Sequence, residues 1–201
     1  MKLKYVLSVA AASIFLLGCN TVKLTFIPLD GTILAFGDSL TIGKGVDSSA
    51  SYPEVLSNLS GRNVVNAGIT GEETSAGLLR FPQILRETNP DLVILLEGGN
   101  DILRGRDSDI IKNNLARMID YSCKLDIPVL LIGVPDKNLV GNSSDIYKEL
   151  AVEFNIILEE NIVKYLLVNQ EYKSDMHHYN EDGYRVLAET LFRLLSEKGV
   201  F

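Results

Sequence analysis

Five short runs of this chain are apolar or nearly so: TILAFG (32–37), NVVNAG (63–68), DLVILLEGG (91–99), IPVLLIGV (127–134) and FNIILEE (154–160). Several have no polar alternation, as strands buried on both faces should, and that points to a parallel sheet covered by helices. The stretches YPEVLSNLS (52–60), SAGLLRFPQILRET (75–88), DIIKNNLARMIDYSCKL (109–125), DIYKELAVEF (145–154) and NEDGYRVLAETLFRLLSEKG (180–199) read as amphipathic helices. No repeat or low-complexity tract interrupts this pattern, so an α/β fold with a mostly parallel five-stranded sheet is expected. With 201 residues, 46% of them hydrophobic, the chain can fill one core, and one globular domain over residues 32–201 is expected.

The opening MKLKYVLSVAAASIFLLGC does not belong to that domain. Lys2 and Lys4 precede an apolar run from Tyr5 to Leu17, then small Gly18, which is the pattern of a signal peptide over residues 1–18. Its end, LLGC, resembles the lipobox of bacterial lipoproteins, in which the chain is cut before the cysteine and that cysteine carries the lipid. The resemblance implies a mature chain beginning at Cys19 and a short tether over residues 19–31. It also implies an exported, membrane-anchored protein of the bacterial cell envelope. A chain whose Cys19 is lipidated forms no internal disulfide, and Cys123, within an apolar helical pattern, is expected to be a buried helix residue.

A net charge of −7 opposes a phosphate backbone, and nucleic acid is not expected as a partner. In an open α/β sheet, functional groups lie beyond the carboxyl ends of the strands. The first three strands run into GDSLTIGKG (37–45), NAGITGEETS (66–75) and EGGNDILRG (97–105), each with glycines and small polar residues that can aim N–H groups outward. Any one of these alone reads as an ordinary turn with a helix cap. The two histidines of the chain are adjacent, at 177 and 178, so a serine–histidine mechanism must use one of them. Adjacent histidines point in different directions and no further His completes a ligand set, so neither a metal nor a cofactor is expected.

Together, Asp38 and Ser39 in GDSL, Gly71 in NAGITGEETS, Asn100 in GGND, and the late pair Asp175 and His178 resemble the four sequence blocks of the GDSL, or SGNH, hydrolases. The overall plan, and LLEGGNDILRG in particular, is similar to the small secreted arylesterase, thioesterase and lysophospholipase branch. The resemblance implies a flavodoxin-like three-layer α/β/α fold and hydrolysis of carboxylic ester or thioester bonds. It implies Ser39 as nucleophile and His178 with Asp175 as the base and its orienter. It implies oxyanion donors at the Ser39 and Gly71 backbone N–H groups and the Asn100 side chain. Such roles suit these residue types, since a serine hydroxyl needs a base held in one tautomer and acyl transfer needs donors aimed at the developing oxyanion. The last block departs from the family's usual form, in which a Gly and an apolar residue separate the Asp from the His and a Pro follows. Met176, His177 and Tyr179 take those places, with the spacing of three kept.

The expected activity is a lipid-anchored, monomeric serine esterase acting on small acyl esters, thioesters or lysophospholipids. A carbohydrate O-acetyl esterase of the envelope uses the same machinery. A catalytically silent surface lipoprotein that uses the fold for binding is the reading from outside the enzymes.

Overall fold

The computed structural model describes residues 23–139, 141 and 143–201; the signal peptide expected over residues 1–18 and the lipidation expected at Cys19 lie outside the described residues. Strands β1 (Thr32–Gly37), β2 (Asn63–Gly68), β3 (Leu92–Leu96), β4 (Val129–Ile132) and β5 (Ile157–Glu159) form one all-parallel sheet in the order β2-β1-β3-β4-β5. This is the flavodoxin-like order, with the direction of winding reversing between β1 and β3. β3 and β4 are buried at every residue, which is why their sequences show no alternation.

Helices α1 (Ser39–Ile42), α2 (Tyr52–Ser60), α3 (Thr74–Thr88), α4 (Gly99–Leu103), α5 (Ser108–Cys123), α6 (Asp145–Phe154), α7 (Ile162–Val168) and α8 (Glu181–Glu197) complete the chain. α2 and α7 pack on α8, whereas α5 packs on α3 and α6. α8 illustrates how sequence dictates packing: Tyr184, Leu187, Ala188, Leu191 and Leu195 are fully buried and fall on one stripe of a 3.6-residue period. Cys123 is buried at the end of α5.

Five helices fall where the sequence pattern predicts them; α1, α4 and α7 are additional. α7, IVKYLLV, is too short and too uniformly apolar to display a helical period. Ile27, within the stretch expected to be tether, is 2% exposed: its N–H donates to Val200 O at 3.0 Å, and its carbonyl accepts from Arg62 Nε and Nη2. Arg62 directly precedes β2, so the chain enters the domain at the amino edge of the sheet.

Candidate active site

β1 ends at Gly37, in register with Gly68 of β2 on one side and Leu96 of β3 on the other. The loops carrying Ser39, Gly71 and Asn100 therefore leave the same edge of three neighbouring strands. Asp38 caps α1, its Oδ1 accepting the Leu40 N–H at 2.9 Å, and Ser39 is the first residue of that helix. Asp38 Oδ2 accepts from Asn100 Nδ2 at 3.1 Å, which orients the amide while leaving its second N–H unused. The backbone N–H groups of Ser39 and Gly71 have no hydrogen-bond partner among the described residues.

Gly71 has φ +77°, a conformation that favours glycine, and a Cβ there would meet nothing nearer than Arg104 Nη2 at 3.8 Å. Its loop is tied to the loop after β3. Arg104 Nη1 donates to Gly71 O at 3.2 Å and to Glu73 Oε1 at 2.8 Å, and Arg106 Nε donates to Glu73 Oε2 at 2.9 Å. From α4, Asp101 accepts both the N–H and the hydroxyl of Thr74, at 2.8 and 2.7 Å, and thereby caps α3.

The late block reaches the same place from the other end of the chain. His178 Nε2 lies 2.9 Å from Ser39 Oγ, and His178 Nδ1 lies 2.7 and 2.9 Å from the two oxygens of Asp175. An ionised carboxylate only accepts, so in the neutral imidazole Nδ1 carries the proton and Nε2 accepts from the serine hydroxyl. Asp175 is kept ionised: its Oδ1 accepts the N–H groups of His177 and His178 at 2.8 and 2.9 Å. Those bonds, that of His177 first and then the His178 ring, hold its carboxyl well below the usual range. The ring itself is largely covered, with 12% of the side chain exposed against 52% for Asp175.

Met176 and His177 lie on the exposed turn of this loop, and Tyr179, in the place of the family's proline, anchors it. Tyr179 is fully buried edge-to-face against Tyr184, and its hydroxyl donates to Val163 O at 3.3 Å. A backbone bridge from Lys173 to Tyr179 closes the turn that presents Asp175 and His178.

Beside Ser39 and His178 opens a cavity of about 360 Å³. Leu40, Ile102, Leu103, Val134, Pro135, Val163, Leu167 and Met176 give it apolar walls, and Asn100, Lys137, Lys173 and His177 supply polar groups; Gly71 is not among its lining residues. Both lysines went unnoticed in the sequence, where nothing marks them as neighbours.

Beneath the site lies a buried acidic group that the sequence did not reveal. Glu72, Glu97 and Asp38 are 7%, 0% and 5% exposed, and Glu72 is paired with Arg80. The Arg80 guanidinium pairs with Glu72, donates to Ala67 O at 2.8 Å, and stacks over the Phe36 ring at 3.9 Å. Burial pushes Asp38 up to about 7, and burial with the nearby charge of Asp38 raises Glu97 well above the carboxylate range.

The sequence model of the GDSL-like Lipase/Acylhydrolase family matches residues 35–186. An arylesterase from Vibrio mimicus is 31% identical over 153 residues, covering 71% of this chain and 76% of that protein. The thioesterase 1/protease 1/lysophospholipase L1 of Escherichia coli strain K12 is 29% identical over 172 residues, covering 82% of this chain and 83% of the relative. Among solved structures, TesA superposes with a TM-score of 0.76 at 29% identity, over 83% of this chain and 99% of its own. The SGNH-hydrolase family esterase AlinE4 superposes with a TM-score of 0.67 at 29% identity, over 84% and 96%.

Proposed function

Because this chain belongs to the GDSL-like lipase/acylhydrolase family and is an ester-hydrolysing enzyme of the esterase, thioesterase and lysophospholipase type, we propose that it cleaves acyl esters or thioesters through Ser39, His178 and Asp175. The observation that carries this reading is the continuous hydrogen-bonded line from Asp175 through the His178 ring to Ser39 Oγ.

In the first half-reaction, Ser39 Oγ attacks the acyl carbonyl carbon as its proton passes to His178 Nε2. Asp175 stabilises the resulting imidazolium. The carbonyl oxygen becomes an oxyanion held by the backbone N–H groups of Ser39 and Gly71 and by the unused Asn100 amide hydrogen. Collapse expels the alcohol or thiol, which takes the proton from Nε2 and leaves an acyl-serine. A water then gives its proton to Nε2 and attacks the acyl carbon, and collapse returns the proton to Ser39 as the acid leaves.

The apolar walls support an acyl chain as the group seated beside the nucleophile, which favours acyl esters over an acetylated glycan. A cavity of this size lies near the lower end of the range for small-molecule sites, about 300–1,000 Å³. The LLGC pattern supports export and attachment to a bacterial envelope membrane through a lipid on Cys19, residues 1–18 being removed. The test is labelling with a fluorophosphonate probe alongside hydrolysis of 4-nitrophenyl esters from two to sixteen carbons. Wild type should take up the probe and turn over esters, and Ser39→Ala should do neither while melting normally. A Ser39→Ala variant with undiminished turnover refutes the assignment.

A further inference from the structure

Glu97 plays no part in the proton transfers above, yet it is fully buried where β3 gives way to the helix bearing Asn100. Its Oε2 accepts the Gly98 N–H at 2.9 Å and its backbone carbonyl accepts the Tyr147 hydroxyl at 2.7 Å. Both bonds fix Gly98, whose φ of +100° starts α4; a Cβ on Gly98 would fall 2.5 Å from the Tyr147 oxygen. The other carboxyl oxygen, Oε1, is buried without a donor among the described residues.

The groups that face Glu97 explain that orphan. From the β1–α1 junction comes Asp38, and from the β2–α3 loop comes Glu72, whose carboxylate is within hydrogen-bonding reach of the Glu97 side chain. Arg80 of α3 is engaged by Glu72 and two backbone carbonyls, Tyr147 of α6 gives its proton to the Glu97 carbonyl, and Asp101 of α4 spends both oxygens on Thr74. Three buried carboxyls thus lie near one another with a guanidinium paired to Glu72 alone, and at least one of them must hold a proton. Asp38 has an N–H donor on each oxygen and Glu72 has the arginine, so Glu97 is the member that gains most by being neutral.

We propose that Glu97 is a positioning residue for the ester-hydrolysing reaction: in its protonated form it donates to Glu72 and accepts from Gly98, holding the left-handed turn that aims Asn100, and its ionisation switches the enzyme off in alkali. The inference rests on Asn100 acting as an oxyanion donor. Ionised Glu97 loses its bond to Glu72 and places a second negative charge beside Asp38, the group that orients the Asn100 amide. The expected signature lies in kcat, because the donor acts on the transition state.

The test is the pH dependence of kcat and KM for 4-nitrophenyl butyrate from pH 7 to 10.5, with the uncatalysed rate subtracted and circular dichroism recorded at each pH. Wild type should lose kcat on the alkaline side with KM unchanged and the fold intact. Glu97→Gln supplies an acceptor for Gly98 and a donor for Glu72 that cannot ionise. It should stay within about threefold of wild-type kcat at pH 8 and keep that rate to pH 10.5. Glu97→Met should lower kcat at pH 8 at least tenfold with little change in KM. Superposable wild-type and Glu97→Gln profiles, or a Glu97→Gln variant as impaired as Glu97→Met, overturn the proposal. Wild-type kcat in Asn100→Ala would instead overturn the oxyanion reading, so the two failures are told apart.

Discussion

Asn100 and Asp38 are 62 positions apart in the chain and meet through a 3.1 Å hydrogen bond from the Asn100 amide to the Asp38 carboxyl. The same carboxyl caps the helix that begins with Ser39, so one side chain fixes both the proposed nucleophile and a proposed oxyanion donor. Asn100→Ala should lower kcat by roughly 10²–10³, or about 3–4 kcal/mol of barrier, with KM within a few-fold. Steady-state kinetics with a butyrate ester decides it: an effect confined to KM contradicts a role in the transition state.

The adjacent histidines should behave very differently. His178 touches both Ser39 and Asp175, whereas the described bond of His177 is made by its backbone N–H. His178→Ala should cut kcat/KM by several orders of magnitude, and His177→Ala by less than about tenfold. Asp175→Asn should fall between them, since it disturbs tautomer and orientation but leaves the imidazole in place. A dead His177→Ala beside an active His178→Ala would assign the base to His177 and overturn the His178 reading.

Stability should fall as the solution turns from mildly acid to mildly alkaline. Burial lifts Asp38 from its ordinary 3.8 to about 7, and burial with the nearby charge of Asp38 raises Glu97 well above its ordinary value. Between the unfolded and folded values the native state holds protons that the unfolded chain has released, so stability present below about pH 4 is lost as pH rises through 7 and beyond. Asp175 works with the opposite sign: its carboxyl is held low, so its contribution is present above the ordinary 3.8 and lost in stronger acid. Urea midpoints at pH 5 and pH 8.5 should be lower at the higher pH, and Asp38→Asn should flatten that difference. An unchanged slope in Asp38→Asn would remove Asp38 as its source.

The proposed lipid anchor has a direct readout. Metabolic labelling with a palmitate analogue should mark the wild-type protein in the membrane fraction, and Cys19→Ser should abolish the label. An unlabelled wild-type protein reduces the LLGC pattern to coincidence. Among the described residues no helix is long and apolar enough to cross a membrane, so a helical span there would not mask the result.

The parallel sheet was readable because β3 and β4 are buried on both faces, and burial of that kind leaves an uninterrupted apolar run. The loops bearing Ser39 and Asn100 stood out because short polar motifs follow directly on such strands, and the Gly71 loop because its glycine-rich motif follows the neighbouring, partly exposed β2. Glu97 did not. An acid between an apolar run and two glycines looks like the start of a solvated loop, and its burial comes from Asp38, Glu72 and Tyr147, all distant in sequence. The final block was readable in its spacing and not in its shape. That Tyr179 could stand in for a proline depends on a pocket made by Tyr184 and Val163, which no local pattern reports. α7 escaped because seven nearly uniform apolar residues carry too little period to distinguish helix from strand.

Ile27 is sewn to Val200 and Arg62 at the amino edge of the sheet, while Ser39 opens from the carboxyl edge of the same strand layer. The two are separated by the length of β1, six residues, or roughly 20 Å at the rise of an extended strand. Any support coupled ahead of Ile27, whether a resin, an electrode or a fused carrier, therefore grips the domain by its base and leaves the mouth of the cleft unobstructed. Attachment through a side chain of the 173–178 turn would do the reverse, and the orientation of an immobilised preparation follows from which end is held.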